Sequence, residues 1–136
     1  MKQIDELIRG ELAAVISIDS IIDKVKAEER RHLESIRKDH VSAVDKLKMF
    51  AHSDFVEEAE SPGPWGAFTS AVKKGASIFG DRIALEALKL GEEHGINEYR
   101  EVIRDDATNP ELRRVIESEL IPNQEKHLAL INQFLH

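Results

Sequence analysis

Four side chains that commonly bind metal ions stand where helical stripes of this sequence are otherwise apolar. They are Glu11, His40, Glu92 and His127. A carboxylate buried alone is costly or loses its charge, so two carboxylates beside two imidazoles are expected to share a cation. The chain has no cysteine, which excludes disulfides and thiolate ligands. Any metal site must therefore be built from carboxylates and imidazoles.

Each of the four residues is the main polar exception in a stripe with heptad spacing, the pattern of packed helices. In the first helix the stripe is Ile4, Ile8, Glu11, Val15, Ile18, Ile22 and Val25. In the second it is Leu33, Ile36, His40, Ala43, Leu47 and Phe50. In the third it is Leu85, Leu88, Glu92, Gly95, Tyr99 and Val102. In the fourth it is Ile116, Leu120, Asn123, His127, Leu130 and Phe134, with Asn123 as a milder exception. Each helix is thus predicted to place one metal-binding side chain inward.

The helices that carry these stripes are predicted from periodicity and from sparse glycine and proline. Asp81 follows Gly80 and suits an N-cap, and Asn109-Pro110-Glu111 is typical of a helix start. The predicted helices cover about 2–26, 29–52, 81–105 and 110–135.

The links between the helices predict the topology. The first and last links are short, which favours two antiparallel hairpins. The middle link, 53–80, is too long to lack structure, and 67–79 is predicted to form a short helix along the bundle. Two hairpins joined by one long crossover predict an all-α, ferritin-like up-down four-helix bundle, with 1–136 as a single domain.

The four candidate ligands are also predicted to lie at similar depth in this bundle. Glu11 lies about 16 residues before the first interhelical turn, and His40 about 12 residues after it. Glu92 lies about 16 residues before the last interhelical turn, and His127 about 18 residues after it. At about 1.5 Å per residue, the two members of each pair therefore differ in depth by no more than about 6 Å. Side chains of this length can meet across such an offset. The four residues are therefore expected to share one layer.

The sequence resembles a family of short bacterial ferritin-like domains of unknown function. The most specific parts of the resemblance are the tryptophan segment 63–68 (GPWGAF) and the segment 91–95 (GEEHG). Further matches are 9–11, 37–40, 79–81 and 119–122 followed by His127. The resemblance implies a ferritin-like bundle with a metal site and no settled biochemical role.

One departure from the pattern of di-iron bundles changes the expected ligand set. Those bundles use a single glutamate from each of two helices and a Glu-x-x-His from each of the other two. Here Arg37 precedes His40 and Gln124 precedes His127, where carboxylates would stand. The predicted centre is therefore sparser than a di-iron site. Asp39 and Glu93 lie about 100° around their helices from the neighbouring ligand.

Composition excludes several other functions. The net charge is −7, and no run of lysine or arginine occurs, so nucleic acid and anionic membranes are poor partners. No stretch approaches the roughly 18 uncharged apolar residues that span a membrane. Charges at the N-terminus do not fit a signal peptide, so a cytoplasmic location is expected.

The leading functional hypothesis is a metal-binding ferritin-like protein with a redox or metal-handling role. The expected cofactor is a divalent metal, with iron first and manganese or zinc as alternatives, and the expected partners are the metal ion and a homodimer or higher homo-oligomer. One alternative is a structural or interaction bundle whose polar layer only fixes helix register. Another is an iron-storage subunit that assembles into cages. No nucleophile–base pair or phosphate-binding loop is visible, so no enzyme reaction is assigned.

Overall fold

The computed structural model describes residues 2–51, 66–74 and 80–136, and this part of the chain is helical without any strand. The all-α prediction is therefore confirmed for the described residues. Residues 52–65 and 75–79 lie outside them, so the predicted helix at 67–79 is seen only in part, and Trp65 is not described. The elements are α1 (Lys2–Ile21), α2 (Ala27–Lys48), α3 (Gly66–Lys74), α4 (Asp81–Arg104), α5 (Pro110–Val115), a π-helical turn (Ile116–Leu120) and α6 (Ile121–Leu135).

Helices α1 and α2 run antiparallel. Near their connection the Arg30 side chain donates to the Ile22 carbonyl oxygen at 3.0 Å. Farther from it, Arg37 pairs with Asp19 at 2.6 Å. Helix α1 ends at Ile21, earlier than predicted, because the segment that follows forms a turn before α2. Val25 is nevertheless buried, so the apolar stripe continues beyond the end of the helix.

The starts of α4 and α5 depend on two different caps. Asn109 caps α5 as predicted, since its side chain accepts from the backbone N–H of Glu111 at 2.8 Å. The predicted N-cap at Asp81 is wrong, because Asp81 is the first residue of α4 and Gly80 occupies the cap position. Gly80 has a φ of +92°, which a residue with a side chain rarely adopts.

The last helix is continuous but contains one π-helical turn. In that turn the N–H of Ile121 donates to the carbonyl oxygen of Ile116, five residues earlier. Pro122 explains this local widening, because proline has no N–H and its ring clashes with the carbonyl four residues before it. After this turn His127 is buried as predicted. The predicted stripe is wrong at three other positions, where Gln124, Ile131 and Leu135 are buried and their neighbours Asn123, Leu130 and Phe134 are half-buried.

Among the described residues, the core consists of two hydrophobic clusters that lie on either side of a polar layer. α1 packs against α2, α3 and α4, and α6 packs against α2 and α4. One cluster contains the start of α1 and the end of α4, including Ile8, Val102 and Ile116. The other contains Ile18 and Leu88 with the end of α6. The packing on both sides holds the helices that present the polar side chains between them.

Candidate metal site

The polar layer brings together the four side chains that the sequence singled out, together with Gln124. Glu11 comes from α1, His40 from α2, Glu92 from α4, and Gln124 and His127 from α6. All five are at least 95% buried, since none is more than 5% exposed. Contacts run from Glu11 to His40, from His40 to Glu92 and from Glu92 to His127, so the four side chains form one connected layer.

Glu92 lies at the centre of the layer. Its Oε1 is 2.5 Å from His40 Nε2, and its Oε2 is 3.4 Å from His127 Nδ1. Gln124 Nε2 donates to the same Oε2 at 3.0 Å. The two imidazole rings are neighbours, with centroids 4.9 Å apart and planes tilted by 52°. One ligand atom from each of His40, Glu92 and His127 lies within 4.8 Å of the others, so these three residues form a group that could hold a metal ion.

The second nitrogen of each ring contacts a different carboxylate. His40 Nδ1 is hydrogen bonded to Glu11 Oε2. His127 Nε2 is 2.8 Å from Asp39 Oδ2. Tyr99 Oη in turn donates to Glu11 Oε1 at 2.5 Å. Each histidine is therefore fixed in orientation, with one nitrogen toward Glu92 and the other on an outer carboxylate.

The ionisable groups of the layer shift one another's pKa values. Burial opposes a charge on His40, but the negative charges of Glu92 and Glu11 and the hydrogen bonds to both raise its pKa well above the ordinary value. Burial also opposes the charge of Glu92, but His40 and His127 hold the pKa of Glu92 well below its usual range. Burial, reinforced by the charge of Glu11, raises the pKa of Tyr99 well above its ordinary value. The raised pKa of His40 thus favours its protonated form between Glu11 and Glu92.

Of the residues near the three possible ligands, some contact the histidines and others lie at the surface. Glu11 lies outside the three-residue group and contacts His40 from the other side. Arg37 pairs with Asp19 at the surface, and Glu93 is exposed. Asp39, by contrast, reaches His127 although it lies to one side of the helix stripe.

Gln124 is the buried residue of the layer that the apolar stripe missed. Its Nε2 donates to Glu92 Oε2. The sequence feature that could have predicted its burial is its position three residues before His127, because this spacing puts both side chains on one face of the helix.

No protein-family model, curated protein or solved structure matches this chain. Among the described residues, no helix has both the length and the apolar character needed to cross a membrane. Evidence for function therefore comes from the chemistry of the buried layer.

Proposed function

We propose that this protein binds a divalent metal ion between His40, Glu92 and His127. The observation that carries the proposal is that three side chains with ligand atoms, each almost fully buried, lie within 4.8 Å of one another. Imidazole and carboxylate ligands suit iron, manganese and zinc. Iron is the first candidate because the resemblance to ferritin-like domains points to it.

The outer carboxylates support this assignment. Histidines that bind metals usually donate their other ring N–H to a carboxylate or carbonyl, which fixes the tautomer and the ring orientation. Glu11 is placed to accept from His40, and Asp39 is placed to accept from His127. We infer that these two residues orient the ligands and that Tyr99 holds Glu11 in place.

The three donors lie close enough for one ion after side-chain adjustment. Bonds from zinc to nitrogen and oxygen are about 2.0–2.2 Å long, so two ligands of a tetrahedral ion lie about 3.4 Å apart. The three ligand atoms here lie within 4.8 Å of one another, so the widest pair would approach by up to about 1.4 Å on binding. The proton that His40 carries in the metal-free protein would leave when the ion binds, because a histidine ligand must be neutral.

A bound iron ion would supply one-electron redox chemistry, whereas zinc would supply Lewis acidity alone. The protein residues hold the ion and shield it from bulk water, since the layer lies between two hydrophobic clusters. Asp39 is about one-third exposed, so it also links His127 to the solvent.

The arrangement of the helices supports a ferritin-like bundle as the proposed fold. The two hairpins pack on a common core, and α3, from the long crossover, packs against α1 and α4. Membership in the ferritin-like family named above is likewise proposed, on the strength of the motifs that carry the resemblance.

Metal analysis of untagged protein tests the proposal directly. We expect the wild-type protein to retain a divalent metal after gel filtration, and the Glu92→Ala and His127→Ala variants to lose it because each removes a ligand. Inductively coupled plasma mass spectrometry measures the content. Glu93→Ala, at the exposed position next to Glu92, is the matched control and should retain the metal. Equal metal content in all four proteins would refute the site.

Replacing Asp39 by asparagine tests the orienting role of the outer carboxylates. We expect the metal affinity to fall by about 10–100-fold, the usual cost of losing such a partner, because His127 loses its carboxylate acceptor. Competition with a chromophoric chelator measures the affinity. Asp45→Asn, an exposed position on the same helix, is the control. If both variants bind the metal with equal affinity, Asp39 has no orienting role.

A second candidate function is a polar layer that fixes helix register without a metal. The observation in its favour is that His40 already bridges Glu11 and Glu92 through hydrogen bonds. Thermal unfolding separates the two candidates. A chelator that leaves the melting temperature of the purified protein unchanged favours the register role, whereas a lower melting temperature favours the bound metal.

A further inference from the structure

A pocket between α1, α3 and α4 is partly open to solvent and extends inward to the polar layer. Its inner end is formed by Glu11, His40 and Glu92, which belong to the layer. Glu98 also lines the pocket and is only half-buried, so we call the end at this residue the mouth. The pocket therefore connects the solvent with two of the three residues that are proposed to bind the ion.

The free space in this pocket is small. It amounts to about 30 Å³, which is about the share of one water molecule in liquid water. A water molecule or a metal ion fits such a space, whereas an organic ligand does not. The space is kept open by residues with a small side chain or none, which are Gly10 and Ala14 on α1 and Gly91 and Gly95 on α4. The pocket thus has the size that an ion in transit needs.

Carboxylates lie at both ends of this pocket. Glu98, Gly95 and Gly91 share one face of α4, because they are three and four residues apart. Glu98 lies six residues from Glu92, which is about 9 Å along the helix axis at about 1.5 Å per residue. Glu11 lies at the inner end beside Glu92. A cation that leaves Glu98 therefore meets another carboxylate within about two turns of helix, which limits the cost of passing apolar walls.

The charge at the mouth favours cations over anions. Burial and the charges of Glu6 and Glu101 raise the pKa of Glu98 to about 7, so the three carboxylates lie close enough to interact. Glu6 also pairs with Arg9 at 3.1 Å, which offsets part of the negative charge. A cleft with an excess of carboxylates raises the local concentration of cations and the rate at which they associate.

We propose that a divalent ion reaches His40 and Glu92 through this pocket and that Glu98 attracts it to the mouth. The inference rests on the proposed metal site and adds the route by which the ion enters and leaves. Glu98 acts on the rates, whereas His40, Glu92 and His127 hold the bound ion. Because a route serves both directions, obstructing it should change the rates of uptake and release by the same factor and leave the dissociation constant unchanged.

Stopped-flow spectroscopy with Co²⁺ tests the route. Metal-free protein, buffered above the pKa of Glu98, is mixed with Co²⁺, and the absorption of the bound ion measures uptake. Mixing the loaded protein with excess EDTA measures release. Ala14→Leu should slow both processes about tenfold or more, because the larger side chain fills the space that the ion crosses. Ala129→Leu, at an exposed position of α6, is the matched control and should change neither rate.

Two further variants test the mouth and the wall of the pocket. Glu98→Gln should slow both rates about fivefold, the effect expected of one unit charge on a divalent ion across several ångströms of water. This effect should largely disappear at about 1 M NaCl, where the Debye length is about 3 Å, and exposed Glu93→Gln is its control. Val72→Ala widens the pocket and should accelerate both rates, whereas Val44→Ala, at a buried valine outside the pocket, should not.

The inference would be overturned by rates in folded Ala14→Leu or Glu98→Gln that equal those of their controls, since the ion would then enter elsewhere, such as beside Asp39. Equal acceleration by Val44→Ala and Val72→Ala would also overturn it, because general loosening of the core would then explain the rates. Circular dichroism checks that each variant is folded, and equilibrium titration with Co²⁺ measures the dissociation constant.

Failure of the metal site itself would be recognised in a different measurement. In that case the wild-type protein would bind no Co²⁺ at equilibrium, and the site and the route would both be refuted. Normal equilibrium binding with unchanged rates in the variants would refute the route alone.

Discussion

Replacing Glu92 by leucine should lower the free energy of unfolding of the metal-free protein by about 3–5 kcal/mol, the usual cost of removing one partner from a buried ionic pair. The carboxylate is the shared partner of His40, His127 and Gln124. Without it, the imidazolium keeps only Glu11, and the Gln124 amide loses the acceptor of its shorter hydrogen bond. Urea denaturation followed by circular dichroism measures the change.

Glu93→Leu is the matched control for this substitution. Glu93 is the next residue of the same helix and is exposed, so its replacement should change the free energy of unfolding by less than about 0.5 kcal/mol. A change at Glu92 as small as that at Glu93 would mean that the buried network contributes no net stability.

The stability of the metal-free protein should also fall as the pH rises above about 6.5, and His40→Gln should remove most of that fall. The pKa of His40 is raised in the folded protein above its ordinary 6.5. Its contribution is therefore complete below pH 6.5 and is lost as the pH rises through the folded pKa. Urea denaturation between pH 5 and about pH 9, which is below the titration of tyrosine, measures the slope.

Two other carboxyl groups, those of Glu92 and Glu98, also make the free energy of unfolding depend on pH, so the experiment must separate their effects from that of His40. The pKa of Glu92 is lowered, so its contribution is lost only as the pH falls below about 4.5, outside the measured range. Burial, with the charges of Glu6 and Glu101, raises the pKa of Glu98 to about 7. That group also lowers stability as the pH rises from about 4.5 to 7, so both proteins should carry Glu98→Gln.

Metal binding gives the pH experiment a second readout. Because His40 must lose its proton to bind an ion, metal affinity should increase with pH over the range in which the metal-free protein loses stability. If the free energy of unfolding depends on pH in the same way with and without the His40→Gln substitution, His40 is not charged in the folded protein.

The sequence was sufficient to place the four candidate ligands in one layer. The reason is physical, because a charged residue in an aliphatic heptad stripe cannot face solvent without turning its neighbours outward as well. Glu92 is the clearest example, since Leu88, Gly95 and Tyr99 of the same stripe are all buried with it. The four candidate ligands also lie at similar distances along the chain from the interhelical turns, and this similarity predicted that they share one depth in the bundle.

The rest of the site depends on information that a stripe does not contain. Asp39 lies beside the stripe of α2, and its contact with His127 depends on how closely α2 and α6 approach each other. Gln124 lies three residues before His127 and is buried with it, whereas the heptad stripe assigned the inward position to Asn123.

The π-helical turn at Ile116–Leu120 also bears on how this chain could change in length during evolution. The turn accommodates one residue more than a regular α-helix between the same two ends. A homologue with a single deletion there could form an unbroken α-helix and still direct the counterparts of Gln124 and His127 toward Glu92. A deletion of one residue within this turn would thus be tolerated without loss of the site, whereas a deletion in a regular α-helix would change the register of the residues that follow.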